Sequence, residues 1–385
     1  MKNLFAVILI FVIILNSSAC SKPENVVVPQ KKPLKYKIGI MTGTTSQGEE
    51  EFRAAENMVN KYKDLIVFKT YPDSFVNQQN ITREKLIDMA KDPEIKAIIM
   101  CQVVQGSVAA FTEIRKMRPD ILLIGAVPSE DLETVVKEFD IVLQGDELAA
   151  GYTIPAQAKK LGAKTFVHYS FPRHMSYKLI SLRRDIIKDE CKNLGLKFID
   201  VTIPDPLDEK GLEGARSFII KDIKEKIEIY GKDTNFFSTN CGMQEPLIKT
   251  ALENGGIVAQ QCCPSPLHGY PGALGLNLPK EKFTDYNYVM DEIEKQIVLK
   301  GGKGRFSTWP VPMNMLFVEA GVEYAKGYIE GTIKSKNDSE ALARICSKIV
   351  GVKDIKLNVY VGKDKNGRDI EYDNFYLFLS DYITF

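Results

Sequence analysis

From Tyr36 onward, short apolar runs alternate with longer amphipathic stretches, and that rhythm leaves few folds open. Residues 36–41 (YKIGIM) read as a buried strand, followed by the polar loop 42–48 and a helix over about 49–62. Apolar runs recur at 65–68, 97–101, 121–126 and 141–143, with helices expected over 82–91 and, after the loop 102–106, through Met117. Strand, loop and helix in that order build βαβ units, which call for a parallel sheet with helices on its faces. A helix over 147–161 stops at Gly162, a residue suited to capping a helix C-terminus. The rhythm then restarts. Strands at 165–169, 198–202, 235–239 and 256–260 alternate with helices at 175–194, 212–230 and 244–254. Two doubly wound α/β sheets in succession are the economical explanation.

A chain of 385 residues also exceeds what one hydrophobic core normally covers, so two lobes are expected. Past Gly275 the sequence offers helices near 286–299 and 315–330, then antiparallel strands at 357–361 and 372–378 around the turn 365–368. The expected division gives 36–146 plus about 276–333 to the first lobe, and 147–275 plus about 334–385 to the second.

The N-terminus sets the compartment. Lys2 precedes the apolar run 4–15, flanked by Asn3 and Asn16. That run is shorter than the roughly 20 residues of a membrane span and has the length of a signal-peptide core. Ser17, Ser18 and Ala19 then lead into Cys20, which resembles the lipobox of bacterial lipoproteins, although Ser17 stands where that pattern prefers leucine. The resemblance implies a signal peptide over 1–19, acylation of Cys20 and anchoring at the outer face of the cell membrane. Residues 21–35, with three prolines and no periodicity, read as a tether.

Composition narrows the function further. Lys plus Arg (51) nearly balance Asp plus Glu (50), so no overall field favours nucleic acid. Past Cys20 stand Cys101, Cys191, Cys241, Cys262, Cys263 and Cys346, with no C-x-x-C pair; they read as free, buried thiols. With His168, His174 and His268 the only histidines, no metal site is expected, and no cofactor is implied. Gly43 and Gly48 have the gap of a phosphate loop, but Glu49 and Glu50 stand where it needs lysine and a hydroxyl. No G-x-S-x-G elbow occurs, and Cys263 with His268 lacks an orienting third group, so an enzyme is not expected.

The exported start, the opening strand YKIGIM, the restart at 164–170 (KTFVHYS) and coverage from Tyr36 to Phe385 together resemble the type I periplasmic binding proteins, the extracytoplasmic receptors of ABC importers. Within that superfamily the chain is most similar to an uncharacterised group of bacterial solute-binding lipoproteins. The resemblance implies two Rossmann-like lobes joined by three crossings, a small-molecule ligand closed between them, and an ABC permease as partner.

In open α/β sheets ligands bind outside the carboxyl ends of the strands. The first lobe offers Thr42, Thr44, Ser46 and Gln47 after its first strand and Gln102 and Gln105 after its third. Asp146 follows the fifth strand, where it suits either a ligand hydroxyl or an N-cap. The second lobe offers Ser170, Phe171, Arg173 and His174, with Arg173 beside an aromatic platform the foremost candidate for an anionic group. Asn240 and Gln244, then Gln260 and Tyr270, follow later strands, and Trp309 is a candidate for stacking. These mostly neutral amides and hydroxyls favour a sugar or nucleoside-like ligand.

Overall fold

The computed structural model describes residues 35–206, 208–279, 282–283, 285–351, 355, 357–363 and 368–385. The signal segment, Cys20 and the turn residues 365–367 lie outside them. The first-lobe runs become β1 (Lys37–Thr42), β2 (Ile66–Thr70), β3 (Ile95–Cys101), β4 (Leu122–Ala126) and β5 (Ile141–Gly145). Between them run α1 (Thr45–Tyr62), α2 (Gln79–Lys91), α3 (Ser107–Met117) and α4 (Leu132–Glu138). The helices return the chain to the same end of the sheet each time, so neighbouring strands pair in parallel.

Helices cover both faces of this sheet, which is why its central strands are apolar without interruption. Along β3 the two faces separate by strict alternation. Ala97, Ile99 and Cys101 pack with Ala54, Met58 and the later helices on one face. Ile98 and Met100 pack with Leu86, Phe111 and Val135 on the other.

The second lobe begins with α5 (Glu147–Lys160) and continues through β6 (Thr165–Ser170), α6 (Pro172–Met175), α7 (Lys178–Asn193) and β7 (Lys197–Thr202). Then follow α8 (Gly211–Tyr230), β8 (Thr234–Ser238), α9 (Gln244–Asn254), α10 (Tyr270–Leu274) and α11 (Tyr286–Leu299). Its sheet has the order β7-β6-β8. The expected strand at 256–260 contributes only single bridges, Asn235 to Ile257 and Val258 to Phe306. The chain ends with β9 (Ser307–Thr308), α12 (Met313–Ile329), α13 (Ser339–Val350), β10 (Leu357–Lys363), β11 (Asp369–Phe378) and β12 (Ile383–Thr384).

The lobe boundaries differ from the expected ones after Gly275. The helix α11 buries Val289, Ile293 and Ile297 in one core with Val167, Tyr169 and Phe236, so 286–299 belongs to the second lobe. The strands β10 and β11 do pair antiparallel as expected, but β11 runs parallel to β5 and extends the first sheet to seven strands, β10-β11-β5-β4-β3-β1-β2. The edge of β5 would otherwise stand open, and β11 covers it. The chain therefore crosses between lobes three times. It passes from β5 to α5, from β9 to α12, and from β11 to β12, where Ile383 pairs with Thr308 and Phe385 enters the second-lobe core.

Candidate functional site

The two lobes meet at segments that follow carboxyl ends of strands, where Glu50 of α1 bonds Ser265. On the first-lobe rim, Thr44 caps α1 by accepting from the Ser46 amide at 3.3 Å. Its hydroxyl donates to Asp73, and Gln47 Nε2 donates to the Asp73 carbonyl at 3.0 Å. Ser46 Oγ lies 2.8 Å from Thr44 Oγ1, so these three expected ligand groups hold the β2–α2 loop. Thr42 is buried and donates to the Gly43 carbonyl. Gly48 interrupts the helix with extended backbone (φ −165°, ψ 86°), and a side chain there would collide with the Glu51 carboxylate. Glu51 is 1 % exposed and is held by Asn314 Nδ2 at 3.2 Å and by Gln102. Gln102 adopts φ +57°, a left-handed conformation unusual for a residue with a side chain. Gln105 Oε1 is buried without a partner among the described residues. Asp146 takes its capping role: it accepts from the Ala149 amide at 2.9 Å and from Asn358 Nδ2 at 3.3 Å.

On the second-lobe rim the foremost candidate is already neutralised. Arg173 makes two parallel bonds to Asp205, Nε to Oδ2 at 2.9 Å and Nη2 to Oδ1 at 2.8 Å, while lying over the Phe171 ring. Phe171 is 1 % exposed and packs in the core, so it offers no open platform. His174 Nδ1 lies 3.0 Å from Thr239 Oγ1, which lies 3.0 Å from Ser170 Oγ. Burial, aided by Arg173, lowers the His174 pKa to about 4, so the ring is neutral at physiological pH. Asn240 accepts from the Gly242 amide, and Gln244 Nε2 ties down the Asn240 carbonyl at 2.8 Å. Gln260 accepts from Tyr382, and buried Tyr270 donates to the Ser307 carbonyl. Trp309 is 2 % exposed and packs edge-on against Phe378 in the first-lobe core. The expected cleft residues are mostly where the strand-end rule puts them, yet most are engaged in holding loops.

What the rim adds is a group of cysteines. Cys241 follows β8, and Cys262 and Cys263 follow the neighbouring strand-like segment. Cys241 Sγ lies 3.3 Å from Cys262 Sγ and 3.8 Å from Cys263 Sγ, and Cys262 Sγ lies 3.5 Å from His268 Nε2. Cys262 is buried, but Cys241 and Cys263 are exposed, contrary to the expectation of buried thiols. Hydrogen bonds from Cys262 and Cys263 lower the Cys241 pKa, while the contact with Cys241 and burial raise the other two, Cys263 to about 12. Facing this group from α1, Glu50 accepts from Ser265 Oγ at 2.6 Å, a direct bond between the rims. Cys241 follows β8 and Cys262 follows the apolar run that bridges β8 at Asn235–Ile257, so the strand-end rule could have brought the two segments together from sequence.

A cavity of about 1320 Å³ opens elsewhere, at the end of α1 away from the cleft, lined by Tyr62, Glu319, Glu323 and Arg344 among others. Burial raises the Glu319 carboxyl to about 7, opposed by its bond with Asn57 and the charge of Lys61 and reinforced by Glu323. Tyr286 of α11 faces the same carboxyl. Between the ordinary carboxylate range near 4.5 and about 7, the folded state holds a proton that the unfolded chain has lost. Stability should therefore fall as pH rises through that window, by about 1–3 kcal/mol from this group. In urea unfolding at pH 5 and pH 8, Glu319→Gln should narrow the difference between the two pH values; an unchanged difference would refute the assignment.

The chain belongs to the family described as DUF3798, protein of unknown function, which it matches over residues 36–307. Two uncharacterised proteins of Treponema pallidum (strain Nichols) are similar to it. One is 36 % identical over 219 residues, covering 57 % of this chain and 99 % of its own; the other is 38 % identical over 178 residues, covering 44 % and 80 %. A solved structure from Clostridium difficile 630, provisionally described as a transcriptional regulator, shares the two-lobed fold with a TM-score of 0.79. It is 23 % identical, and the match covers 91 % of this chain and 99 % of that one, so the likeness lies in the lobes themselves. The fold is a two-lobed α/β architecture, as the strand-helix rhythm of the sequence implies.

Proposed function

We propose that the protein is an extracytoplasmic solute-binding lipoprotein, anchored through Cys20, that closes its lobes on a small polar ligand and presents it to an ABC permease. One observation carries the reading: two lobes with largely parallel sheets, joined by three crossings, meet through Glu50 and Ser265, both placed after carboxyl ends of strands. Such a joint permits hinge closure around a bound molecule. No helix among the described residues is long and apolar enough to cross a membrane, so membrane attachment in this reading rests on the acylated N-terminus. Sugars and nucleosides remain the favoured class, with the unpartnered Gln105 carbonyl suited to a ligand hydroxyl or amine.

The test is a thermal-shift screen of sugars, nucleosides, amino acids and short peptides on the soluble lobes with their tether. A true ligand at a hundredfold excess over its dissociation constant should add about 2.7 kcal/mol of stability. No shift with any class, together with turnover of an ester or glycoside panel, would replace this reading with an exported hydrolase.

A further inference from the structure

We infer that Cys241, Cys262, Cys263 and His268 form a binding site for a zinc-class divalent cation on the second-lobe wall of the cleft. A tetrahedral zinc ion with Zn–S bonds of about 2.3 Å and a Zn–N bond of about 2.0–2.1 Å separates its sulfur ligands by about 3.8 Å and sulfur from nitrogen by about 3.5 Å. The three sulfur pairs here stand at 3.3, 3.8 and 3.9 Å, and Cys262 Sγ to His268 Nε2 at 3.5 Å. The donor atoms of Cys241, Cys262 and His268 lie within 4.8 Å of one another, and Cys263 Sγ, 3.8 and 3.9 Å from the two sulfurs, would complete the set by a turn of its side chain.

The loops carrying them are fixed from behind. Gln261 is fully buried, and its amide donates to the carbonyls of Ser265 at 2.8 Å and His268 at 3.0 Å, while its oxygen accepts from Thr308. This closes the loop from Cys262 to His268 upon itself. Asn240 and Gln244 do the same for the turn that carries Cys241. Supporting bonds of this kind orient metal ligands and set their affinity. Exposed Cys241 and Cys263 leave the ion a path in, and binding would release the thiol protons to solvent. Glu50 closes the site from the other lobe through Ser265, so an occupied site and a closed cleft would favour each other.

The test uses the full chain without its signal segment, purified anaerobically with a non-thiol reductant, and probes it with Zn²⁺ alone and Co²⁺ alone. One equivalent of Co²⁺ should bind with the ultraviolet thiolate-to-cobalt charge-transfer band and the intense visible bands of a tetrahedral site. Zn²⁺ should displace it and protect the thiols from a chromogenic thiol reagent. Cys241→Ser and Cys263→Ser each sit on exposed positions and should fold normally by circular dichroism. Each should weaken Zn²⁺ by more than about 100-fold, beyond the usual loss from an outer-sphere partner. Cys346→Ala, in the first-lobe core, should leave the charge-transfer band intact. A missing band, a band that survives both serine substitutions, or a Cys241–Cys262 disulfide in protein taken from the native membrane would overturn the site. The inference is independent of transport: a sugar-induced thermal shift without Zn²⁺ binding would keep the receptor reading and remove the metal.

Discussion

Replacing Glu147 with alanine is expected to cost about 3–5 kcal/mol of folding stability, because it strands a buried guanidinium. Glu147 opens α5 immediately after the first crossing, and Arg183 of α7 donates to its carboxylate. The Arg183 side chain is only 4 % exposed, lies over the Phe237 ring at 5.3 Å, and leaves Nε without a partner among the described residues. Arginine cannot shed its proton at any physiological pH, so without Glu147 the charge stays in the interior. The opposite substitution differs in kind. With Arg183→Met, Glu147 retains 26 % exposure, and burial already raises its pKa, so it can take up a proton and lose its charge. Arg183→Met should therefore cost clearly less than Glu147→Ala, and the double variant less than Glu147→Ala alone. Urea unfolding of the three variants measures this. Equal losses for the two single variants, or a loss below about 1 kcal/mol for Glu147→Ala, would show that the pair does not hold the lobe as argued.

The same pair shows where sequence reading stops. The alternation of apolar runs announced both sheets, because burial on two faces leaves an unmistakable pattern in β1, β3 and β4. It could not say which sheet β11 would join, since pairing with β5 is a contact between residues more than 200 positions apart, such as Phe375 with Val142. Gln102, Arg173 and Asn240 do follow the ends of β3, β6 and β8. Whether such a side chain faces a ligand or a neighbour depends on partners from distant segments. Asp205 claims Arg173, Asp73 claims Thr44, and neither carboxylate carries a mark in its local sequence. The cysteines were misjudged for a related reason. Cys241 and Cys263 are exposed on two loops that meet only in the folded chain, where Cys241 reaches Cys262 across 21 residues of sequence.

Trp309→Ala should cost about 3–5 kcal/mol, the range for removing a large buried aromatic, and should leave ligand-induced stabilisation unchanged. The sole tryptophan suggested a stacking surface in the cleft. Its actual position is the second crossing, between β9 and α12, where it is 2 % exposed and meets Phe378 at 5.5 Å with the rings at 74°. Phe378 in turn meets Phe317 of α12 and ends β11, just before the third crossing. The indole thus locks two of the three connections into the first-lobe core, and deleting it opens a cavity where α12 and β11 converge. A binding role would give the reverse signature, with stability retained and the thermal shift from the ligand lost. Far-ultraviolet circular dichroism in urea reads the first quantity without depending on the missing fluorophore, and the ligand panel reads the second. The two outcomes exclude each other because a side chain sealed between two crossings can reach a ligand only if the lobes themselves come apart.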